Sequence, residues 1–152
     1  MRSAEVSTGR RVAVVLHSGD DVLESIAAVC AEHGIRQGYI PLFLGAFRSV
    51  RFIASQVPGV DPEPPLKDSV AVTYAEGVGS GSISWDEATG APHVHLHVAI
   101  GVKDTGATGF AGHVLEATTH YVAELVIDEV LSPEMIREPD EMAHGLPNLT
   151  FL

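Results

Sequence analysis

Residues Pro92-His93-Val94-His95-Leu96-His97-Val98-Ala99-Ile100 alternate between two kinds of side chain. Successive side chains of a β-strand point to opposite faces, so residues two apart share a face. A helix would scatter both sets around its axis. The segment therefore reads as a strand. Val94, Leu96, Val98 and Ile100 face a core, and His93, His95 and His97 line the other side. A one-residue slip would exchange the two sets, so the register is strongly specified. Whatever the chain folds into must contain a sheet with one apolar face and one histidine face.

The rest of the chain supplies a partner for that sheet. Residues 1–10 read as a loose polar leader, and Val12 to Leu16 as a short buried strand. Asp20 and Asp21 stand where a helix start favours acidic groups. Val22, Leu23, Ile26, Ala27 and Cys30 follow at helical spacing, with Gly34 at the C-cap position. This predicts one amphipathic helix over 20–33, with Cys30 packed in the core. Tyr39 to Gly45 and Arg48 to Ala54 read as strands bent at Gly45-Ala46. The prolines at 58, 62, 64 and 65 predict a loop over 56–69. Val70 to Tyr74 and Ser82 to Trp85 read as short strands separated by Gly77, Gly79 and Gly81. No helical pattern follows these glycines, so a dinucleotide-binding loop is unsupported. Val94 to Val102 and Ala117 to Val130 are two β-patterned runs, joined by a Gly-rich connector from Gly101 to Gly112. The tail, 131–152, carries Pro133, Pro139 and Pro147 and reads as irregular, packed through Leu146, Leu149 and Phe151. Many strands with one clear helix predict an α+β domain over 1–152.

Composition narrows the function classes. The single cysteine, Cys30, excludes a disulfide scaffold and any CxxC zinc or redox site. Hydrophobic residues make up 45% of the 152, enough to build a core. No apolar run approaches the ~18 residues of a membrane span, and Val12 to Leu16 is too short for a signal-peptide core. A soluble, cytoplasmic protein is the expectation. The formal net charge is −11, and the nine Lys and Arg are dispersed. Autonomous DNA binding needs a basic face, so the charge argues against it. Eight histidines are present, where average usage would give roughly half as many.

Those histidines carry the chemistry. Neighbours two apart on a strand lie roughly 6.5–7 Å apart, so two imidazoles can converge on one ion. A third on the same strand is harder to bring in, which predicts one HxH pair plus a ligand from elsewhere. His113 follows Gly109-Phe110-Ala111-Gly112, and returns beside the HxH face if the two runs form a hairpin. His120 and Glu124 are evenly spaced on the second run and stand as candidate base or supporting hydrogen-bond partner. A solvated polar strand face is the plain alternative. The accumulation of a third histidine, a fourth after a Gly-rich turn and a carboxylate favours a transition metal with an open coordination position. His17, His33 and His144 are isolated and receive no role.

His95-Leu96-His97, a short loop, Gly112-His113 and a β-run carrying Glu124 resemble the PPC domain, the plants-and-prokaryotes conserved domain. The family pattern is HxH, about a dozen residues, GGH, then a strand with a Glu. Leu16 to Asp21 resembles its start before the helix, and Ile40 to Phe47 its "GA" strand. Arg137, Asp140, Gly145 and Leu146 resemble its C-terminal motif. The resemblance spans about residues 12–152. It implies an α+β fold with a mixed, mainly antiparallel sheet and one helix packed on it. It also implies a homotrimer, and a metal site, zinc foremost, made by His95, His97 and His113. Ala111 replaces the first Gly of GGH, and Ala117 a usual Gly further on. His93 and His120 are additional histidines near the site. The family's DNA-binding description comes largely from plant members with an AT-hook, and Gly9-Arg10-Arg11 is not that motif.

Three functions follow as expectations. One is a metal-binding trimer that takes a small molecule, with hydrolase or lyase chemistry based on Glu124 or His120. Another is a structural metal trimer without catalysis. The third is a DNA-associated regulatory or interaction domain.

Overall fold

The computed structural model describes residues 1–54, 69–143 and 145–152. The predicted loop over 56–69 falls almost wholly outside them, as does His144. Strand β1 is Ser7–His17, helix α1 Val22–His33, β2 Gly38–Ile53, β3 Val70–Asp86 and β4 Ala91–Val102. Then come β5 Thr108–Ser132, β6 Met135–Pro139 and β7 Pro147–Phe151.

The helix forms where its signals lie. Asp21 caps it, its carboxylate accepting from the Glu24 N–H at 2.9 Å. Gly34 ends it at φ 67°, a left-handed conformation that a side chain would strain. Val22, Ile26 and Cys30 recur at every fourth residue and are fully buried, against β4 and, less extensively, β5 and β1. Burying one such aliphatic side chain contributes about 1.5–3 kcal/mol. Leu96, Val98 and Ile100 of β4 join Phe43, Phe47, Ile83 and Leu125 in the same core.

Every named strand pair is antiparallel, in the order β1-β5-β2-β3-β4. β5 is long enough to serve three partners. Residues 108–113 pair with β4, and the strand then runs along β2 and β1. The sheet thereby closes on itself.

Several strand limits differ from those the sequence predicts. β1 begins at Ser7, inside the expected leader, because β5 extends to Ser132 and offers it a ladder. The glycines at 77, 79 and 81 lie within one continuous β3 instead of dividing two strands. A Cβ at any of them would overlap a β4 backbone carbonyl, so their lack of a side chain lets the strands approach. The expected strands 39–45 and 48–54 are one strand, with register shifts near the predicted bend. The Gly-rich connector shrinks to a short 3-10 turn at Lys103–Thr105 and its flanks, and Gly109 and Gly112 pair with Gly101 and Val98. The tail is not irregular: β6 and β7 form a hairpin, with Pro139 opposite Pro147 at its end. Gln37 secures it, accepting from the Met135 N–H and donating to the Val130 and Pro133 carbonyls. Such a side-chain anchor leaves no periodic trace in sequence.

Candidate metal centre

Leu96, Val98 and Ile100 are buried, and His93, His95, His97 and Ala99 point the other way. His113 stands where β5 leaves β4 for β2, opposite both His97 and Ile53. Directly opposed residues of an antiparallel pair share a face, so His113 joins the histidine face. Gly112 makes this approach possible, since a Cβ there would lie 2.6 Å from the Ile53 carbonyl oxygen. Ala111 is exposed, so its methyl costs nothing where the family pattern has Gly.

The three imidazoles converge. Ring centroids lie 5.0 Å apart for His95 and His97, 4.6 Å for His95 and His113, and 5.4 Å for His97 and His113. One ring nitrogen from each lies within 4.8 Å of the other two. The His95 and His97 Nε2 atoms are 3.1 Å apart. Two nitrogens bound tetrahedrally to one zinc at 2.0–2.1 Å would be separated by about 3.3 Å. The donor set thus fits a transition metal. His113 Nδ1 is buried without a hydrogen-bond partner among the described residues.

The surroundings of His95 and His113 disfavour a charge on either ring. Burial first, then the charges of Arg137, His113, His97 and His93, pull His95 down to about 4. Burial also lowers His113, reinforced by His97, His93 and Arg137. Neutral imidazole has a free lone pair, so no proton must leave before a metal binds.

His120 and Glu124 are not brought to this cluster within one chain. Glu124 opposes Leu44, which opposes Val78, which opposes Ala99 of β4. Three strand spacings separate it from β4, about 14 Å. His120 packs edge-on against Tyr74, with ring centroids 5.2 Å apart, and tilts over Tyr121. Between Thr119 and Ala123, β5 bulges against β2, so even spacing no longer fixes a common face for 120 and 124. His93 shares the histidine face but opposes Ser84 near the strand end and stays outside the cluster.

Arg137 had no site role in the residue patterns. It is half-buried on β6, and its Nη2 donates to Ser82 Oγ at 2.8 Å. Ser82 stands directly opposite His95. Forty residues of chain separate Arg137 from His97, so only the hairpin's docking on β3 brings it here.

A closed antiparallel sheet with one packed helix and an outward-facing histidine triad defines the class: an α+β domain with a candidate metal centre on its sheet. The chain belongs to the Plants and Prokaryotes Conserved (PCC) domain family, whose model matches residues 3–131. Its fold is similar to that of a plant- and prokaryote-conserved protein from Pyrococcus horikoshii. The TM-score is 0.77 and the identity 22%, covering 100% of both chains. A metal-containing protein from Archaeoglobus fulgidus matches with TM-score 0.73 and 23% identity, over 100% of this chain and 99% of that one. A candidate DNA-binding protein from Bacteroides thetaiotaomicron matches with TM-score 0.74 and 24% identity, over 96% and 97%. No curated protein matches the chain.

Proposed function

We propose that this PCC domain binds a divalent transition metal, zinc foremost, through His95, His97 and His113, and presents it to a small molecule for hydrolase or lyase chemistry. The observation that carries the reading is the convergence of three imidazole nitrogens within 4.8 Å. Three protein ligands leave a tetrahedral ion one open position. When bound, the ion supplies Lewis acidity, which polarises a ligand oxygen and lowers the pKa of water toward 7. The metal-containing relative from Archaeoglobus fulgidus supports the ion but not its identity.

The active form in this reading is a homotrimer. Val15, Glu124, Leu44, Val78, Ala99 and Ala111 form one exposed cross-strand row, mostly apolar and beside the histidines. An apolar sheet face of this kind suits self-association. Glu124 and His120 can serve as a base only if packing of copies brings them to a neighbour's cluster.

Metal analysis of purified, untagged protein tests the site. The expected result is one ion per chain, absent from His97→Ala. Metal-free wild type would overturn the reading. If metal removal lowers the melting temperature but no ligand or turnover is found, a structural metal trimer replaces catalysis. The DNA-associated alternative rests on the description of the Bacteroides relative. Arg2, Arg10, Arg11, Arg36 and Arg51 are each paired with a carboxylate, which offsets most of the arginine charge among the described residues. A DNA titration at low salt is expected to be flat.

A further inference from the structure

Among the described residues, Arg137 lies beside the histidine cluster without a negative partner. Five other arginines have carboxylates within ion-pair distance. Arg48 has none either, but it is exposed. Among the described residues, Arg137 has only neutral partners: Ser82 Oγ at 2.8 Å and the Pro147 carbonyl at 3.4 Å. Its Nε is buried and has no hydrogen-bond partner among the described residues. A half-buried guanidinium without a counter-charge is unfavourable. Burial pulls its pKa below the ordinary guanidinium value. Its charge acts on His93, His95 and His113, lowering all three.

A divalent ion on three neutral imidazoles would add positive charge next to this cation, and no carboxylate among the three ligands offsets it. The two positive centres repel unless an anion stands against both. We infer that the site's small molecule carries a carboxylate, and that Arg137 is the side chain that binds it. The inference rests on the metal reading above. A carboxylate is taken before phosphate because a single guanidinium, held on Ser82 directly opposite His95, offers one fork to one singly charged anion. One planar guanidinium fork matches one planar carboxylate.

The test compares wild type, Arg137→Lys and Arg137→Gln, each loaded with Zn²⁺ and analysed for metal before and after titration. Sodium glycolate and, separately, sodium phosphate are titrated by isothermal calorimetry. All three proteins are expected to hold one ion per chain. Glycolate should bind wild type more tightly than phosphate does. Its affinity should fall at least tenfold in Arg137→Gln and by less in Arg137→Lys, which keeps the charge but not the fork. Wild type without metal overturns the histidine site itself. Wild type that holds metal but binds glycolate no better than Arg137→Gln overturns the carboxylate assignment alone. Tighter phosphate than glycolate overturns the ligand class. If Arg137→Gln fails to fold, equal glycolate affinity in wild type and Arg137→Lys overturns the role of the fork.

Discussion

His97 and His93 occupy equivalent places in the alternation of β4, yet only His97 has His113 opposite it. His93 opposes Ser84 and lies toward Asp86. His93→Ala should therefore retain the metal that His97→Ala loses, read by metal stoichiometry. At the opposite end of β5, Glu129 accepts from the Arg10 backbone N–H, Nε and Nη2 at 2.9–3.0 Å. The Arg10 side-chain bonds, then its backbone N–H, hold the Glu129 carboxyl down to about 2. A depressed carboxylate adds stability above its ordinary value, and that contribution disappears as pH falls toward 2. Glu129→Gln should melt lower than wild type at neutral pH, with the difference closing on acidification through that window. A melting-temperature series against pH checks this. His95 and His97 were legible from alternation, and His113 from its Gly-rich approach. Arg137 was not, because neither spacing nor charge pattern links it to the histidines.

At the scale of elements, β3 and β4 depend on the three glycines that look like punctuation in sequence. A Cβ at Gly81 would overlap the His95 carbonyl, and one at Gly79 the His97 carbonyl. Gly81→Ala should displace the histidine strand. Its expected signature is reduced stability together with weakened metal affinity, measured by thermal melting and metal titration. Gly19→Ala makes a poor control, since φ 99° strains any side chain there. Asp21→Ala removes only the helix cap and should cost about 0.5–2 kcal/mol, read by denaturant unfolding with metal stoichiometry unchanged. The helix was legible almost to the residue, because caps and a four-residue spacing are local signals. The strands of β2, β3 and β5 were read as fragments. A glycine or bulge interrupts a local pattern, while the ladder to a distant partner continues through it.

At the scale of the whole molecule, the exposed row across the sheet is the surface through which the proposed homotrimer would assemble. Val15 is 56% exposed and Val78 58%, in a row that runs on through Leu44 to the alanines of β4 and β5. If that proposal holds, Val78→Glu should give species smaller than the wild-type assembly while leaving the helical and strand signals of the fold intact. Light scattering after size-exclusion chromatography gives the mass. An unchanged mass would place the interface elsewhere. No described helix is long and apolar enough to cross a membrane.

The chain by itself determined which faces are apolar, where the helix begins and ends, and which strand carries the paired histidines. These follow from periodicities of 2 and 3.6 residues and from caps, all set by neighbours along the chain. Tertiary structure alone decided that β5 would serve three partners, that His113 would sit at its crossing, and that Arg137 would stand over Ser82. It also set Glu124 three strands from β4. Each of these depends on register between segments tens of residues apart, where the ladder and side-chain packing choose the partner.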